Sequence, residues 1–205
     1  MQSLKNKIPN LLTVVRIVLI PVIIYSFYVS SQITNIIVAS LFLGASITDY
    51  FDGYLARAMK VQSNFGKCLD PIADKLLVAV SLIMLVNFSD NNLFILIPAI
   101  IIICREIMVS GLREFLATIN VGVPVTRLAK WKTAIQMVAI TALLLAGNGS
   151  DYVYNEIMDI VEAEDYIRIS LEGIIQSLGE LLLCISAFMT IITGYAYFKT
   201  GFKNF

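Results

Sequence analysis

The sequence predicts an all-α fold, a polytopic membrane protein built as a bundle of six transmembrane helices. Of its 205 residues 58% are hydrophobic and only 15% are charged, and the mean hydropathy is +0.82. A soluble domain carries about 25% charged residues, so we expect a single membrane domain over residues 1–205. The apolar residues gather in stretches long enough to cross about 30 Å of hydrocarbon. These stretches cover residues 11–29, 33–56, 70–87, 93–117, 131–147 and 174–198.

The first stretch follows two lysines, as the apolar segment of a signal peptide does. It contains Arg16 and has no small-residue cleavage site, so we interpret it as a retained first helix. Asn10, Thr13 and Arg16 are spaced by three and share a helical face. Two interpretations of Arg16 stay open: it contacts an anionic ligand, or its head extends to the membrane interface.

The second and third stretches carry four aspartates where hydrocarbon is expected. The connection between them is short, so the two helices are predicted to be antiparallel neighbours, with Pro71 in the first turn of the third helix. At about 100° per residue, the aspartates and small residues of each stretch share a face. The carboxylates can therefore converge at one end of the bundle. The first face holds Asp49, Asp52, Gly53 and Ala56, and the second holds Gly66, Asp70 and Asp74.

The fourth stretch contains charged residues within an apolar span. Arg105 pairs internally with Glu106 or Glu180, or else it helps to bind an anion together with Arg113, whose forked guanidinium suits a phosphate. Both interpretations of Arg105 stay open.

The last two stretches offer weaker signals. Trp131, Tyr195 and Tyr197 fit the aromatic belts of a membrane interface. Residues 148–173 are acidic, and we expect an exposed loop with a short surface helix there.

The basic residues predict the orientation. In a six-span model nearly all of those in the connections fall on one side, which should be the cytoplasmic side of a multi-pass protein of the cell membrane. The connections on the other side cover 30–32, 88–92 and 148–173, where Arg168 is the only basic residue. The cytoplasmic set is Lys5, Lys7, Arg57, Lys60, Lys67, Arg127, Lys130, Lys132, Lys199 and Lys203.

Composition also excludes several kinds of chemistry. The net charge is zero and the chain contains no histidine, which argues against a nucleic-acid partner and against Ser-His or Cys-His catalysis. Cys68, Cys104 and Cys184 show no CxxC spacing and are interpreted as packing residues. Facing carboxylates would repel in a low dielectric, and two divalent cations would cancel that charge. All-oxygen ligands suit Mg²⁺ or Mn²⁺.

An alternative gives the aspartates a structural role. They would then cap helix ends or pair with Arg57, Lys67 and Lys75. Ionisable residues inside membranes are usually functional, so we favour the metal site at the cytoplasmic end of the bundle.

The spacing of these residues resembles the signature of the CDP-alcohol phosphotransferase family at every position. The resemblance implies transfer of a phosphatidyl group from CDP-diacylglycerol to an alcohol, with release of CMP, by a homodimeric membrane enzyme. It also implies that the four aspartates bind two metal ions and that Asp74 takes the acceptor proton. Gly53, Ala56, Arg57 and Gly66 would line the nucleotide site. The motif is Asp49-x-x-Asp52-Gly53-x-x-Ala56-Arg57, eight residues, then Gly66-x-x-x-Asp70-x-x-x-Asp74.

A second run, REIMVSGLREF at 105–115, is similar to the branch of that family whose acceptor is sn-glycerol 3-phosphate. The acceptor phosphate would then be bound by Arg105, Arg113, Arg127 and Lys130. For the basic residues at 127–132, simple positive-inside bias is an equally good explanation.

Other acceptors with the same chemistry are inositol phosphate, serine and phosphatidylglycerol. A divalent-cation transporter is a rival from another class, disfavoured because no chain of polar residues crosses all six spans and the halves show no repeat. A structural scaffold would leave the buried carboxylates without a role.

Overall fold

In the computed structural model described here, the described backbone covers residues 7–29, 31–59, 64–89, 92–119, 127–147 and 163–202. Its side chains are described for 13–29, 31–48, 69, 72–89, 92–119, 128–147 and 171–199. Over these ranges the fold consists of six α-helices and no strand, so the all-α prediction is confirmed. The helices are α1 (Lys7–Tyr28), α2 (Gln32–Met59), α3 (Asn64–Asn87), α4 (Leu93–Thr118), α5 (Arg127–Ala146) and α6 (Ala163–Phe202).

Two helices extend well beyond the predicted spans. α3 begins at Asn64 and not near residue 70, so Pro71 lies inside the helix and the prediction that it occupies the first turn was wrong. α6 begins at Ala163, so the last part of the acidic stretch 148–173 is continuous with the last helix. The loop and short surface helix predicted for that stretch otherwise fall on residues 148–162, which lie outside the described residues. A helix satisfies its own backbone hydrogen bonds and can continue into water, whereas hydropathy marks only the part suited to lipid.

Within the described residues, three helical segments are long and apolar enough to cross a membrane: Leu93–Thr118, Leu128–Ala146 and Leu171–Lys199. Thr13–Tyr28 and Gln32–Thr48 are shorter apolar helical segments. Many large apolar side chains point outward, such as Ile107 and Phe188. Such an apolar outer surface suits contact with lipid.

One core joins all six helices. α6 packs against α4 and α5, α1 packs against α2 and α3, and α2 packs against α5. Each helix therefore contributes a large apolar side chain that is almost completely enclosed. These residues, in order from α1 to α6, are Ile23, Phe42, Leu82, Ile102, Ile140 and Leu183.

Polar contacts show that α4 and α6 run in the same direction, because residues later in α4 contact residues later in α6. The contacts also place Glu180 far from Arg105, at the end of the bundle where α4 begins. Glu180 accepts hydrogen bonds from Asn92 (2.8 Å) and Gln176 (3.2 Å). The α4–α6 pairs are Asn92 with Glu180, Arg105 with Thr193, and Arg113 with Tyr197.

Gly147 directly follows the last residue of α5 and has a φ of +74°. Residues other than glycine rarely adopt this backbone conformation. A Cβ at this position would lie 2.0 Å from Asn35 Nδ2 on α2. The glycine therefore both terminates α5 and allows α2 to approach.

Candidate active site

The predicted carboxylate site lies where α2 ends and α3 begins. The backbone is helical through Asp49 and Asp52 and again through Asp70 and Asp74. Only residues 60–63 separate the two helices. Both polar faces therefore lie on helical backbone, as the spacing argument assumes.

Most of the side chains predicted for this site lie outside the described residues, and their roles stay predictions. Among the side chains that are described, no group of three or more histidine, cysteine, aspartate or glutamate residues comes together. The undescribed set is Asp49, Asp52, Gly53, Ala56, Arg57, Gly66, Asp70 and Arg127.

Asp74 is the described member of the four aspartates. Its side chain is half-buried near the middle of α3 and interacts with other groups in the protein. The carboxylate is close enough to Lys132 on α5 for their charges to interact. Asp74 therefore faces the interior of the bundle and the basic residues of a neighbouring helix.

A charged cluster of Lys75, Arg105, Glu106 and Lys132 lies beside Asp74. The Glu106 carboxylate accepts a hydrogen bond from Arg105 Nη1 (3.1 Å) and contacts Lys132 Nζ. Lys75 Nζ donates to Ser110 Oγ one turn further along α4. Lys132 is only 1% exposed. A buried ammonium needs a paired carboxylate, so Glu106 is the residue that allows this lysine to enter the bundle.

Next to the charged cluster, Tyr197 on α6 contacts two arginines of α4. Arg113 Nη2 donates to the Tyr197 hydroxyl (2.8 Å). The guanidinium carbons of Arg113 and Arg105 lie 5.1 Å and 5.5 Å from the centre of the Tyr197 ring, within the range of cation–π attraction. Arg105 Nη2 also donates to Thr193 Oγ1 (3.1 Å). The structure thus brings Arg105 and Arg113, which we call the arginine pair, around one aromatic ring.

The predicted acceptor residues separate into two groups. Arg105 and Arg113 come together as expected, and Arg105 pairs with Glu106, one of the two internal partners considered for it. On α5, Lys130 is exposed whereas Lys132 is buried, because residues two apart lie on nearly opposite helical faces. A role for Lys130 in phosphate binding stays a prediction.

Sequence reasoning named Glu106 as a possible partner of Arg105 but missed its contact with Lys132, and it did not identify Thr193 or Tyr197 as residues of this site. Tyr197 was assigned to an interfacial belt, which suits Tyr195 (70% exposed) but not Tyr197 (4% exposed). The available signal was helical spacing, since Thr193 and Tyr197 are four residues apart and share a face.

Arg16 on α1 is 3% exposed and engaged in contacts within the protein. It lines a cavity of about 230 Å³ between α1 and α2, together with Ser40, Gly44 and Thr48. The enclosed position favours a role inside the protein over an extension to the membrane interface.

These features define an all-helical protein with apolar helices long enough to cross a membrane, in which Asp74 lies beside the charged cluster and the arginine pair. The chain belongs to the CDP-alcohol phosphatidyltransferase family, whose model matches residues 6–192. Members of this family generally use divalent metal ions.

Three relatives illustrate the match. The chain is 48% identical over 203 residues to CDP-diacylglycerol–glycerol-3-phosphate 3-phosphatidyltransferase of Rickettsia bellii, with 99% of both chains covered. It is 39% identical to the protein of the same name from Cereibacter sphaeroides, with 94% of each chain covered. An Arabidopsis thaliana relative, numbered 2 under that name, is 41% identical over 70% of this chain and 66% of its own.

Proposed function

We propose that the protein transfers the phosphatidyl group of CDP-diacylglycerol to sn-glycerol 3-phosphate, giving phosphatidylglycerophosphate and CMP. The observation that carries this proposal is the match along almost the whole chain to relatives named for that activity. The charged cluster and the arginine pair support it, because a phosphorylated acceptor requires cationic partners.

In the proposed reaction a hydroxyl oxygen of glycerol 3-phosphate attacks the β-phosphorus of CDP-diacylglycerol. A new P–O bond forms as the bond between that phosphorus and the oxygen bridging to the α-phosphate breaks, and CMP leaves with the bridging oxygen. Asp74 takes the hydroxyl proton. General-base assistance of this kind is worth about 10²–10⁴-fold in rate, and the half-buried position of Asp74 is compatible with it.

The donor set at the junction of α2 and α3 fits divalent cations, since it consists of carboxylates on two helical stretches of backbone. Asp49, Asp52, Asp70 and Asp74 would hold two Mg²⁺ or Mn²⁺ ions. Such ions neutralise charge that develops on phosphate oxygens during phosphoryl transfer.

The substrates would be bound by residues on both sides of the carboxylates. Gly53, Ala56, Arg57 and Gly66 are proposed to line the nucleotide site, where residues with little or no side chain permit close approach of the ligand. The acceptor phosphate would be bound by the arginine pair.

Residues of α5 complete the proposed acceptor site. Lys132 contacts Glu106, the carboxylate that also pairs with Arg105, so its positive charge lies beside the arginine pair. Arg127 and Lys130 would approach from the start of the same helix. Arg113 is exposed, so its guanidinium retains donors for a ligand in addition to its bond with Tyr197.

We further propose that the protein is a homodimer whose chain spans the cell membrane six times, with this site facing the cytoplasm. The support for the orientation is the one-sided distribution of Lys and Arg. The homodimer is an expectation that rests on the family resemblance. Cytoplasmic access suits two water-soluble species, glycerol 3-phosphate and CMP.

The experiment is to measure CMP release by the purified protein with CDP-diacylglycerol and a panel of acceptors. We expect release to require glycerol 3-phosphate and to be much slower with serine, inositol phosphate or phosphatidylglycerol. Preference for any of these three would overturn the acceptor assignment, and absence of release with all four would overturn the enzymatic proposal.

A further inference from the structure

We propose that Tyr197 is a positioning residue, which with Thr193 holds the arginine pair in the arrangement that receives the acceptor phosphate. The inference rests on the proposed function, because it assigns a purpose to a tyrosine outside the family motif. Tyr197 acts through the arginines and is not proposed to touch the reacting atoms.

The contacts of Tyr197 are of two different kinds. Its hydroxyl accepts a hydrogen bond from Arg113 Nη2 at 2.8 Å, and its ring attracts both guanidiniums from 5.1 Å and 5.5 Å. The residue is almost completely buried, and a ring in a packed position has few alternative rotamers. A rigid ring thereby restricts two long, flexible side chains, and restricting a binding group in advance improves affinity.

The preceding turn of α6 restricts the Arg105 side chain, as Tyr197 does. Thr193 Oγ1 accepts a hydrogen bond from Arg105 Nη2 at 3.1 Å. A Cβ on Gly194 would lie 3.3 Å from Arg105 Cγ, tighter than an ordinary contact. Thr193, Gly194 and Tyr197 therefore form one surface against which Arg105 lies.

The arrangement concentrates more positive charge than its described partners neutralise. Glu106 is shared by Arg105 and Lys132, and Asp74 adds a second carboxylate near Lys132. These two carboxylates face four cations: Lys75, Lys132 and the arginine pair. Holding Arg105 and Arg113 against the same ring works against their mutual repulsion. Among the described residues, Arg105 Nε is also buried without a hydrogen-bond partner. A dianionic phosphate would relieve the repulsion, so the arrangement favours such a ligand.

The test compares Tyr197→Phe and Tyr197→Leu with matched controls at Tyr195, an exposed tyrosine on the same helix. Tyr197→Phe keeps the ring and removes the hydroxyl, whereas Tyr197→Leu removes both contacts. The controls are Tyr195→Phe and Tyr195→Leu. For each purified variant the KM of both substrates and kcat are measured.

We expect Tyr197→Phe to raise the KM for glycerol 3-phosphate about two- to ten-fold, the value of one hydrogen bond. Tyr197→Leu should raise it further, to about ten- to a hundred-fold, because the cation–π contacts are also lost. The KM for CDP-diacylglycerol should change less than about two-fold, since the proposed contacts lie on the acceptor side. Both controls should behave as the parent protein.

A second measurement separates positioning from loss of structure. The rise in melting temperature on adding glycerol 3-phosphate reports binding by the folded protein, and it should be smaller in Tyr197→Phe than in the parent. An unchanged acceptor KM in both Tyr197 variants, or an equal rise in the KM of both substrates, would overturn the inference while leaving the proposed function intact. Failure of the parent protein to use glycerol 3-phosphate would overturn both.

Discussion

At the scale of single residues, Glu106 is a carboxylate that pairs with two cations. It contacts a lysine that is enclosed by the bundle and an arginine that packs on α6. A charge enclosed in a helical bundle is very unfavourable when it has no partner. The carboxylate therefore matters for the stability of the fold and, through Arg105, for the proposed acceptor site.

Replacing Glu106 by glutamine should destabilise the protein, because the buried Lys132 would lose the carboxylate that it contacts directly. Breaking a buried pair in this way costs about 3–5 kcal/mol. The measurement is thermal unfolding in detergent, with Glu114→Gln as control, since Glu114 is exposed on the same helix. Equal melting temperatures for the two variants would show that the pair with Lys132 contributes little.

Arg113→Ala should raise the KM for glycerol 3-phosphate and leave that for CDP-diacylglycerol nearly unchanged. A charge-assisted hydrogen bond contributes roughly 1.5–3 kcal/mol, equivalent to about ten- to a hundred-fold in affinity. Lys130→Ala should act in the same direction but more weakly, because Lys130 is exposed and its charge is screened by water. An acceptor KM equal to that of the parent in Arg113→Ala would remove Arg113 from the phosphate site.

Asp74→Asn should lower kcat, because the amide cannot take the proton of the acceptor hydroxyl. Loss of a general base alone is worth about 10²–10⁴-fold, and a larger fall would indicate that metal binding is lost as well. Single-turnover measurement of CMP release reports the chemical step directly. A kcat within two-fold of the parent would exclude Asp74 as the base.

At the scale of helices, the sequence identified which segments are helical better than it identified where they begin. All six predicted stretches lie within or closely match observed helices, because long apolar runs are a strong signal. The starts of α3 and α6 were placed too late, since Asn64 and Ala163 begin polar extensions that hydropathy does not register. Local patterns predict an element more reliably than its ends.

The candidate site was predictable to the extent that it depends on one helix at a time. The aspartates of α2 and α3 were proposed from spacing within each helix, and their joint role stays a prediction. Tyr197 and Thr193 were missed because they act through contacts with arginines of α4, which lie more than 80 residues earlier in the chain. Such partners follow from how helices pack, and a single sequence does not specify which faces meet.

The paired acidic segments of α2 and α3 lead to a prediction of metal dependence. EDTA should abolish CMP release, and Mg²⁺ or Mn²⁺ added in excess of the chelator should restore it, because carboxylate oxygens suit both ions. Addition of Ca²⁺ serves as a control for charge alone, since its larger radius suits a different geometry. Undiminished turnover in EDTA would refute the two-metal proposal.

At the scale of the whole molecule, the direction of the helices can be compared with the charge distribution. α4 and α6 run in the same direction, as the fourth and sixth spans of a six-span protein must. The charged cluster joins the middle of α4 to the early part of α5, so the second half of α4, with Arg113, lies toward the α4–α5 connection. The basic residues of the connections predict that this end is cytoplasmic.

This topology can be tested with one cysteine on each side of the membrane. In a background with Cys68, Cys104 and Cys184 replaced, a cysteine at position 64, where α3 begins, should face the cytoplasm. A cysteine at position 150, in the connection before α6, should face the opposite side. A membrane-impermeant maleimide added to intact cells should therefore label Ser150→Cys, and it should label Asn64→Cys only after the membrane is opened.

Activity of each variant shows that the fold is retained. Labelling of both positions from the same side would require an even number of crossings between them, and that result would contradict the three spans α3, α4 and α5 on which the cytoplasmic site depends.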